Sequence, residues 1–258
     1  MSTSAPLLEV HDLRISFGGV HALDGASFAV MPGATTGLIG PNGAGKTTVF
    51  NRVSGLLGTG SGRVTFAGHD ISRQRPEQIS RAGLVRSFQL ARGCEQMTVF
   101  EHLMLYGPRQ PGEGLLRGLR SGPAVRRQEE ALRERALAMA GRLRLSAVLD
   151  NLVVRLSGGQ KKLLEIGRVL LAEPKMILLD EPMAGVNPSL VQEIADHLVA
   201  IRHSGITILL IEHEMELIER LCDDVVVMAA GRFLTRGSFA EVSANRQVQE
   251  SYLGLRRQ

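Results

Sequence analysis

No run of apolar residues in this 258-residue sequence approaches the roughly 18 to 20 that a helix needs to cross a bilayer. The apolar stretches near Met176, Ile206 and Val225 are each broken within several residues, so the chain is expected not to span a membrane. Met1 to Leu8 has neither the basic start nor the apolar core of an export signal, which makes a cytosolic location the expectation. Cysteine is scarce: Cys94 and Cys222 lie far apart without metal-ligand spacing, and in a reducing compartment such residues act as small hydrophobes. Internal repeats and long linkers are also missing. The net charge of +4 is modest, although Arg117, Arg120, Arg126 and Arg127 gather in one segment. That cluster could face anionic lipid or nucleic acid, but a solvated face is the preferred reading. What is present in quantity is apolar material, 44% of the chain, enough for one large domain or a core with an appended lobe.

The order of local patterns points to an α/β protein. Leu8 to Val30 holds short β-branched and aromatic runs separated by Gly18-Gly19 and Gly25, the pattern of a small antiparallel layer. From Ala34 to Ile39 an apolar strand leads into a glycine-rich loop, and Lys46 to Ser54 suits a helix. Met176–Leu179, Ile206–Ile211 and Val225–Met228 have strand length, with helical candidates Leu190–Arg202 and Glu214–Leu221 between them. Such alternation predicts a buried, mainly parallel sheet flanked by helices. Between Gln89 and about Leu156 the texture changes: Leu132, Ala136, Met139, Ala140 and Leu143 share one helical face, which predicts an inserted helical lobe. Gly107 to Pro123, rich in Gly, Pro and Arg, has the composition of a mobile loop.

Two segments carry chemistry. Gly40-Pro41-Asn42-Gly43-Ala44-Gly45-Lys46-Thr47-Thr48 matches G-x-x-x-x-G-K-[ST] in the required strand-to-helix setting. Its glycines let backbone N–H groups curl round phosphate oxygens, Lys46 reaches the β and γ phosphates, and Thr47 offers a hydroxyl to Mg²⁺. Met176 to Glu181 is an apolar strand ending in two acids. Adjacent acids alone would be a solvated strand end. With a phosphate loop upstream, Asp180 suits Mg²⁺ binding and Glu181 suits polarising the water that attacks the γ-phosphate.

Leu156-Ser157-Gly158-Gly159-Gln160 then makes a resemblance specific, because it is similar to the signature of ABC ATPases. The resemblance implies a P-loop NTPase (RecA-like) core with an N-terminal antiparallel β layer and an inserted α-helical lobe. It implies one cassette over residues 1–258, with 1–88 and 157–258 as nucleotide-binding core and 89–156 as lobe. It further implies that Ser157, Gly158, Gly159 and Gln160 face ATP held by a second ATPase subunit, the same chain or a related one. Phe17 resembles the aromatic residue on which adenine stacks. Gln89 resembles the glutamine that touches Mg²⁺ and the attacking water, and His213 the histidine that contacts the γ-phosphate. By themselves these three residues would read as ordinary core, loop or structural positions.

Asn187, in Ala184-Gly185-Val186-Asn187-Pro188, stands where many ABC ATPases place an aspartate that bridges subunits. The amide keeps hydrogen-bonding reach but lacks the charge, so a weaker or differently wired contact is expected. This form, together with Ile211-Glu212-His213-Glu214, Ser251-Tyr252-Leu253-Gly254 and the basic insert, resembles the ATPase subunits of branched-chain amino acid importers. The implied partners are transmembrane permease subunits and, indirectly, a substrate-binding protein; the implied place is the cytoplasmic face of the inner membrane. No nucleic acid partner is expected, since soluble ABC proteins of translation or repair usually carry two cassettes or a long coiled-coil insert. A lipopolysaccharide or other lipid exporter ATPase is the alternative within the class. The segment Arg92–Leu105 is expected to form the docking groove for the membrane partner, with an ordinary lobe core as the alternative.

Overall fold

β1 (Leu8–Phe17) and β2 (Val20–Val30) pair as an antiparallel hairpin round Gly18-Gly19, whose φ values of 54° and 88° are the left-handed geometry that a two-residue turn needs. The computed structural model describes residues 5–87, 96–107 and 123–253. After this hairpin the chain enters β3 (Thr35–Ile39), then α1 (Lys46–Val53), β4 (Ser61–Phe66), β5 (His69–Asp70), α2 (Pro76–Arg81) and β6 (Leu84–Arg86). The first sheet runs β2-β1-β4-β5, antiparallel throughout, as the opening pattern predicts.

The second sheet is built from the apolar runs. β7 (Met176–Asp180), β8 (Thr207–Ile211), β9 (Asp224–Ala229) and β10 (Arg232–Gly237) join β3 and β6 in the order β10-β9-β3-β8-β7-β6. All neighbours are parallel except β10, an antiparallel edge strand. Every residue of β3 and β8 is buried, which explains why these strands read as unbroken apolar runs rather than alternating ones. The structure therefore has the α/β, P-loop type of fold that the sequence predicts. Cys222 packs under this sheet; an added Cβ on Gly37 would lie 2.9 Å from its Sγ. Burial pushes its thiol up to about 12, so it stays protonated and acts as the small hydrophobe expected. Cys94 lies outside the described residues.

The chain divides into two compact units, one of Met1–Arg86, Lys175–Ala184 and Ala195–Gln258, the other of Ser87–Pro174 and Gly185–Ile194. The second holds α3 (Val99–Leu105), α4 (Pro123–Arg142) and α5 (Gly158–Leu171). Leu132, Ala136, Met139, Ala140 and Leu143 are all buried, as their helical spacing predicts. An added Cβ on Gly167 would meet Leu143 at 2.7 Å and Leu103 at 3.2 Å, so this glycine lets α5 approach its neighbours closely. α5 falls in the helical unit, beyond the lobe boundary expected at residue 156.

Within the expected docking segment, Val99 and Leu103 are core, while Leu105 is 50% exposed. Glu101 is a helix cap, its carboxylate accepting from the Thr98 N–H at 2.8 Å and hydroxyl at 2.9 Å. Arg92 to Glu95 lie outside the described residues, as do Arg117, Arg120 and most of the expected loop. Among the described residues no helix is long and apolar enough to cross a membrane.

One buried polar group in the helical unit ties stability to pH. His102 is 0% exposed, and its Nε2 accepts from Arg168 at 3.2 Å while the guanidinium sits 4.5 Å from the Tyr106 ring. An arginine can only donate, so His102 must be neutral here. Desolvation, and then the Arg168 charge, pull its pKa down to about 4. Because the unfolded histidine titrates near 6.5, protons favour the unfolded chain. The stabilisation is complete above that value and is lost as pH falls towards 4. At pH 5 the loss relative to pH 7.5 is expected to be on the order of 2 kcal/mol. His102→Gln keeps an acceptor for Arg168 but does not titrate, so it should lose less stability over this interval. Urea unfolding at the two pH values checks this, and equal pH sensitivity of both proteins would refute it.

Candidate active site

In an open parallel sheet the loops leaving the carboxyl ends of neighbouring strands converge, and ligands bind there. β3, β8 and β7 are consecutive neighbours. The loop after β3 is the glycine-rich segment, β7 ends on Asp180 with Glu181 next, β8 is followed by Glu212-His213, and β6 ends on Arg86. Sheet topology thus assembles in one unit what the sequence scatters.

The phosphate loop has the geometry that its glycines allow. Gly40, Gly43 and Gly45 have φ of 150°, 79° and 94°. A Cβ on Gly40 would sit 2.1 Å from the Met228 carbonyl oxygen, and one on Gly45 2.6 Å from that of Ala22, so neither place accepts a side chain. Pro41, Asn42 and Ala44 complete the turn, with Ala44 N–H donating to Pro41 O at 3.1 Å. Gly45 precedes α1 without a side-chain cap, leaving the helix's first N–H groups for an anion. Lys46 is 6% exposed, and its Nζ donates to Gly40 O at 2.7 Å and Pro41 O at 3.1 Å. Burial lowers its pKa, while Glu181 and Asp180 act in the opposite direction. A cation held among neutral carbonyls, at a helix start without a side-chain cap, fits phosphate. Thr47 is exposed at the first turn of α1 and Thr48 half-buried.

Glu181 occupies the left-handed region with φ of 48°, which costs a non-glycine residue about 1 kcal/mol or more. Its N–H donates to Ile211 O at 3.0 Å, and Ala184 N–H closes a turn back to Glu181 O at 3.1 Å. Its carboxylate Oε1 lies 2.7 Å from His213 Nε2, a hydrogen bond that the Nε2–H tautomer donates. Both side chains are about two-fifths exposed, open to a ligand. Asp180 accepts from Arg86 at 2.8 Å, and the same guanidinium donates to Asn51 at 2.6 Å and covers the Phe50 ring at 5.5 Å.

The other expected residues are placed as follows. Phe17 is 50% exposed at the end of β1, available for stacking. Gln89 lies outside the described residues. In the second unit Ser157 caps α5: its hydroxyl accepts from Gln160 N–H at 3.2 Å and its own N–H donates to the Gln160 side chain at 3.0 Å. Gly158 is open, whereas a Cβ on Gly159 would fall 1.4 Å from Leu190 Cδ2. Asn187 opens the helix α6 (Pro188–His203), its side-chain oxygen accepting from Ser189 N–H and hydroxyl, each at 3.0 Å. The amide at this position is thus engaged within its own chain.

The ABC transporter family model matches residues 23–184. The chain belongs to the ABC transporter ATP-binding family. A probable branched-chain amino acid transport ATP-binding protein LivG of Methanocaldococcus jannaschii is 38% identical over 258 residues, covering 98% of this chain and 100% of that protein. The high-affinity branched-chain amino acid transport ATP-binding protein LivG of Escherichia coli K12 is 36% identical, with coverage of 97% and 99%. Among solved structures, a nucleotide-free ATP-binding cassette from an ABC transporter aligns with a TM-score of 0.83 at 37% identity, over 96% of this chain and 98% of that one. A cassette in its ADP conformation aligns with the same score at 38% identity, over 97% and 100%.

Sequence reasoning passed over three features of the cassette. Ser157 and Gln160 form a capping box, which Ser-x-x-Gln before an apolar run signals. The second and third are Arg86 and Glu212, for which a charge at the end of a buried strand is the available signal. Removing the buried cation tests the phosphate loop. Lys46→Ala should weaken ATP binding roughly tenfold or more, since charge-assisted contacts to phosphate are lost. Titration with a fluorescent ATP analogue measures it, and unchanged affinity would refute the assignment.

Proposed function

We propose that this cassette is the ATP-hydrolysing subunit of an importer for branched-chain or related hydrophobic amino acids. The observation that carries the hydrolytic part is the 2.7 Å contact of Glu181 with His213, on adjacent parallel strand ends and within electrostatic reach of Lys46. The transport part is supported by the relatives' names, by coverage of nearly their whole length, and by the local forms round Asn187, His213 and Tyr252.

Lys46, the loop amides and the start of α1 hold the phosphates, and Phe17 stacks on adenine. Glu181 accepts a proton as water attacks the γ-phosphorus; the bond to the β-phosphate oxygen breaks and ADP leaves with phosphate. His213 orients the carboxylate and reaches the γ-phosphate. The hydroxyl of Thr47 and the carboxylate of Asp180 are hard oxygen donors of the kind Mg²⁺ takes, and with Gln89 they would hold that ion. That ion would neutralise charge on the β and γ phosphates.

Ser157, Gly158, Gly159 and Gln160 serve the ATP of a second ATPase subunit, because the capped start of α5 presents an exposed, side-chain-free N–H at Gly158. Transmembrane permease subunits, fed by a substrate-binding protein, complete the transporter. The cassette works at the cytoplasmic face of the inner membrane.

Glu181→Gln should keep ATP affinity and lower turnover at least roughly a hundredfold, the usual reach of general-base loss. Near-normal turnover by the purified variant would overturn the assignment. Ser157→Arg should leave ATP binding by the isolated subunit intact while blocking ATP-driven dimerisation. Size-exclusion chromatography with ATP reads that; an undisturbed dimer would refute the role of the signature in trans.

A further inference from the structure

Glu212, next to His213 in the chain, is a buried carboxylate, 4% exposed, with no part in the hydrolysis just described. Its two oxygens have separate duties. Oε1 accepts from the Met183 N–H at 3.1 Å, and Oε2 accepts from the His213 N–H at 3.2 Å. Met183 belongs to the turn that begins at Glu181, and His213 is the partner of Glu181 across a 2.7 Å hydrogen bond. One side chain therefore ties the turn that begins at Glu181 to the backbone of His213.

The need for such a tie is visible in the backbone. Glu181 sits at φ of 48°, a conformation that persists only where the surroundings over-determine it. The register Asp180↔Ile211 and the hydrogen bond from Glu181 N–H to Ile211 O hold one end of the turn. The other end, at Met183, is held by Glu212. Two N–H groups converging on one side chain call for an acceptor with two oxygens and no proton. A carboxylate meets that demand, whereas an amide would turn its NH₂ towards one of the two donors.

We infer that Glu212 is a positioning residue for ATP hydrolysis, fixing the turns that carry Glu181 and His213 so that their side chains meet at the reacting end of the nucleotide. The inference rests on the hydrolytic reading above. Burial raises the pKa of Glu212, and the two N–H donors act against that rise, in keeping with hydrogen bonds made to the charged form. Because Glu212 touches no phosphate-loop residue through these bonds, its loss should affect the chemical step and spare ATP affinity.

The test is steady-state ATPase kinetics and ATP titration on the full-length protein with Glu212→Ala, Glu212→Gln, Glu181→Gln and the double variant Glu181→Gln/Glu212→Ala. Glu212→Ala should lower kcat roughly tenfold or more with KM for ATP within about threefold of the parent, the pattern of an interaction that matters in the transition state. Glu212→Gln retains one of the two acceptors and should recover part of that loss. In the Glu181→Gln background Glu212→Ala should cost much less than in the parent, since only its hold on His213 is left to matter. Retention of parental kcat by an active protein carrying Glu212→Ala or Glu212→Gln would overturn the inference, as would losses that multiply in the double variant. A parallel rise in KM would also overturn it, making Glu212 a binding or merely structural group. If Glu212→Ala does not fold, the isosteric Glu212→Gln decides alone: reduced kcat at constant KM supports the inference, and parental kcat defeats it. A parent protein without ATPase activity defeats the hydrolytic reading itself and this inference with it, an outcome distinct from all the others.

Discussion

The pairing of β7 with β8 is the constraint on which the candidate site depends. Those strands run parallel with Asp180 opposite Ile211, so both chains leave the sheet at the same level. The next residue of each strand then faces its counterpart: Glu181 N–H reaches back to Ile211 O, and Glu212 reaches forward to the turn after Glu181. A slip of one residue would exchange the faces of every side chain along one strand and separate the acid from the histidine. β3 on the other side of β8 adds the phosphate loop at the same edge. The meeting of Glu181 with His213 is here a consequence of strand register, held by buried apolar side chains on both faces of the sheet.

Burial of charge recurs round this edge. Lys46, Arg86 and Glu212 are each largely withdrawn from water, and each is held by backbone groups or an opposite charge at hydrogen-bond distance. Desolvation makes such groups costly unless they are satisfied. Among the described residues Lys46 hydrogen-bonds to the carbonyls of Gly40 and Pro41, with acidic charges at longer range, an arrangement that suits a phosphate. The neighbouring acids are held in the opposite sense. Arg86 holds Asp180, and His213 holds Glu181, leaving each carboxylate aimed while its outer face stays open. In the helical unit the same economy gives a neutral His102 beside a buried Arg168.

Much of this was legible in the residues because the relevant physics is local. A phosphate loop declares itself through glycines that must adopt positive φ, followed by Lys and Thr at the start of a helix. Strands buried on both faces declare themselves as unbroken apolar runs, and Leu132 to Leu143 show their helical stripe by spacing alone. The family signature Leu156 to Gln160 identified the class, although its Ser157–Gln160 capping box, equally local, went unread.

Local pattern thus determined the loop, the acids at the end of an apolar strand, the helical stripe and the family. Tertiary structure alone decided which strands are neighbours, and so that Glu181 meets His213, that Arg86 holds Asp180, and that Glu212 binds the turns of both β7 and β8. It also decided that Asn187 spends its amide oxygen on Ser189 and that Gly159 is there to admit Leu190. The physical reason is range. Backbone conformation and amphipathic spacing are set within a few residues of chain. A hydrogen bond between strands distant in sequence exists only once register has placed donor and acceptor within about 3 Å of each other.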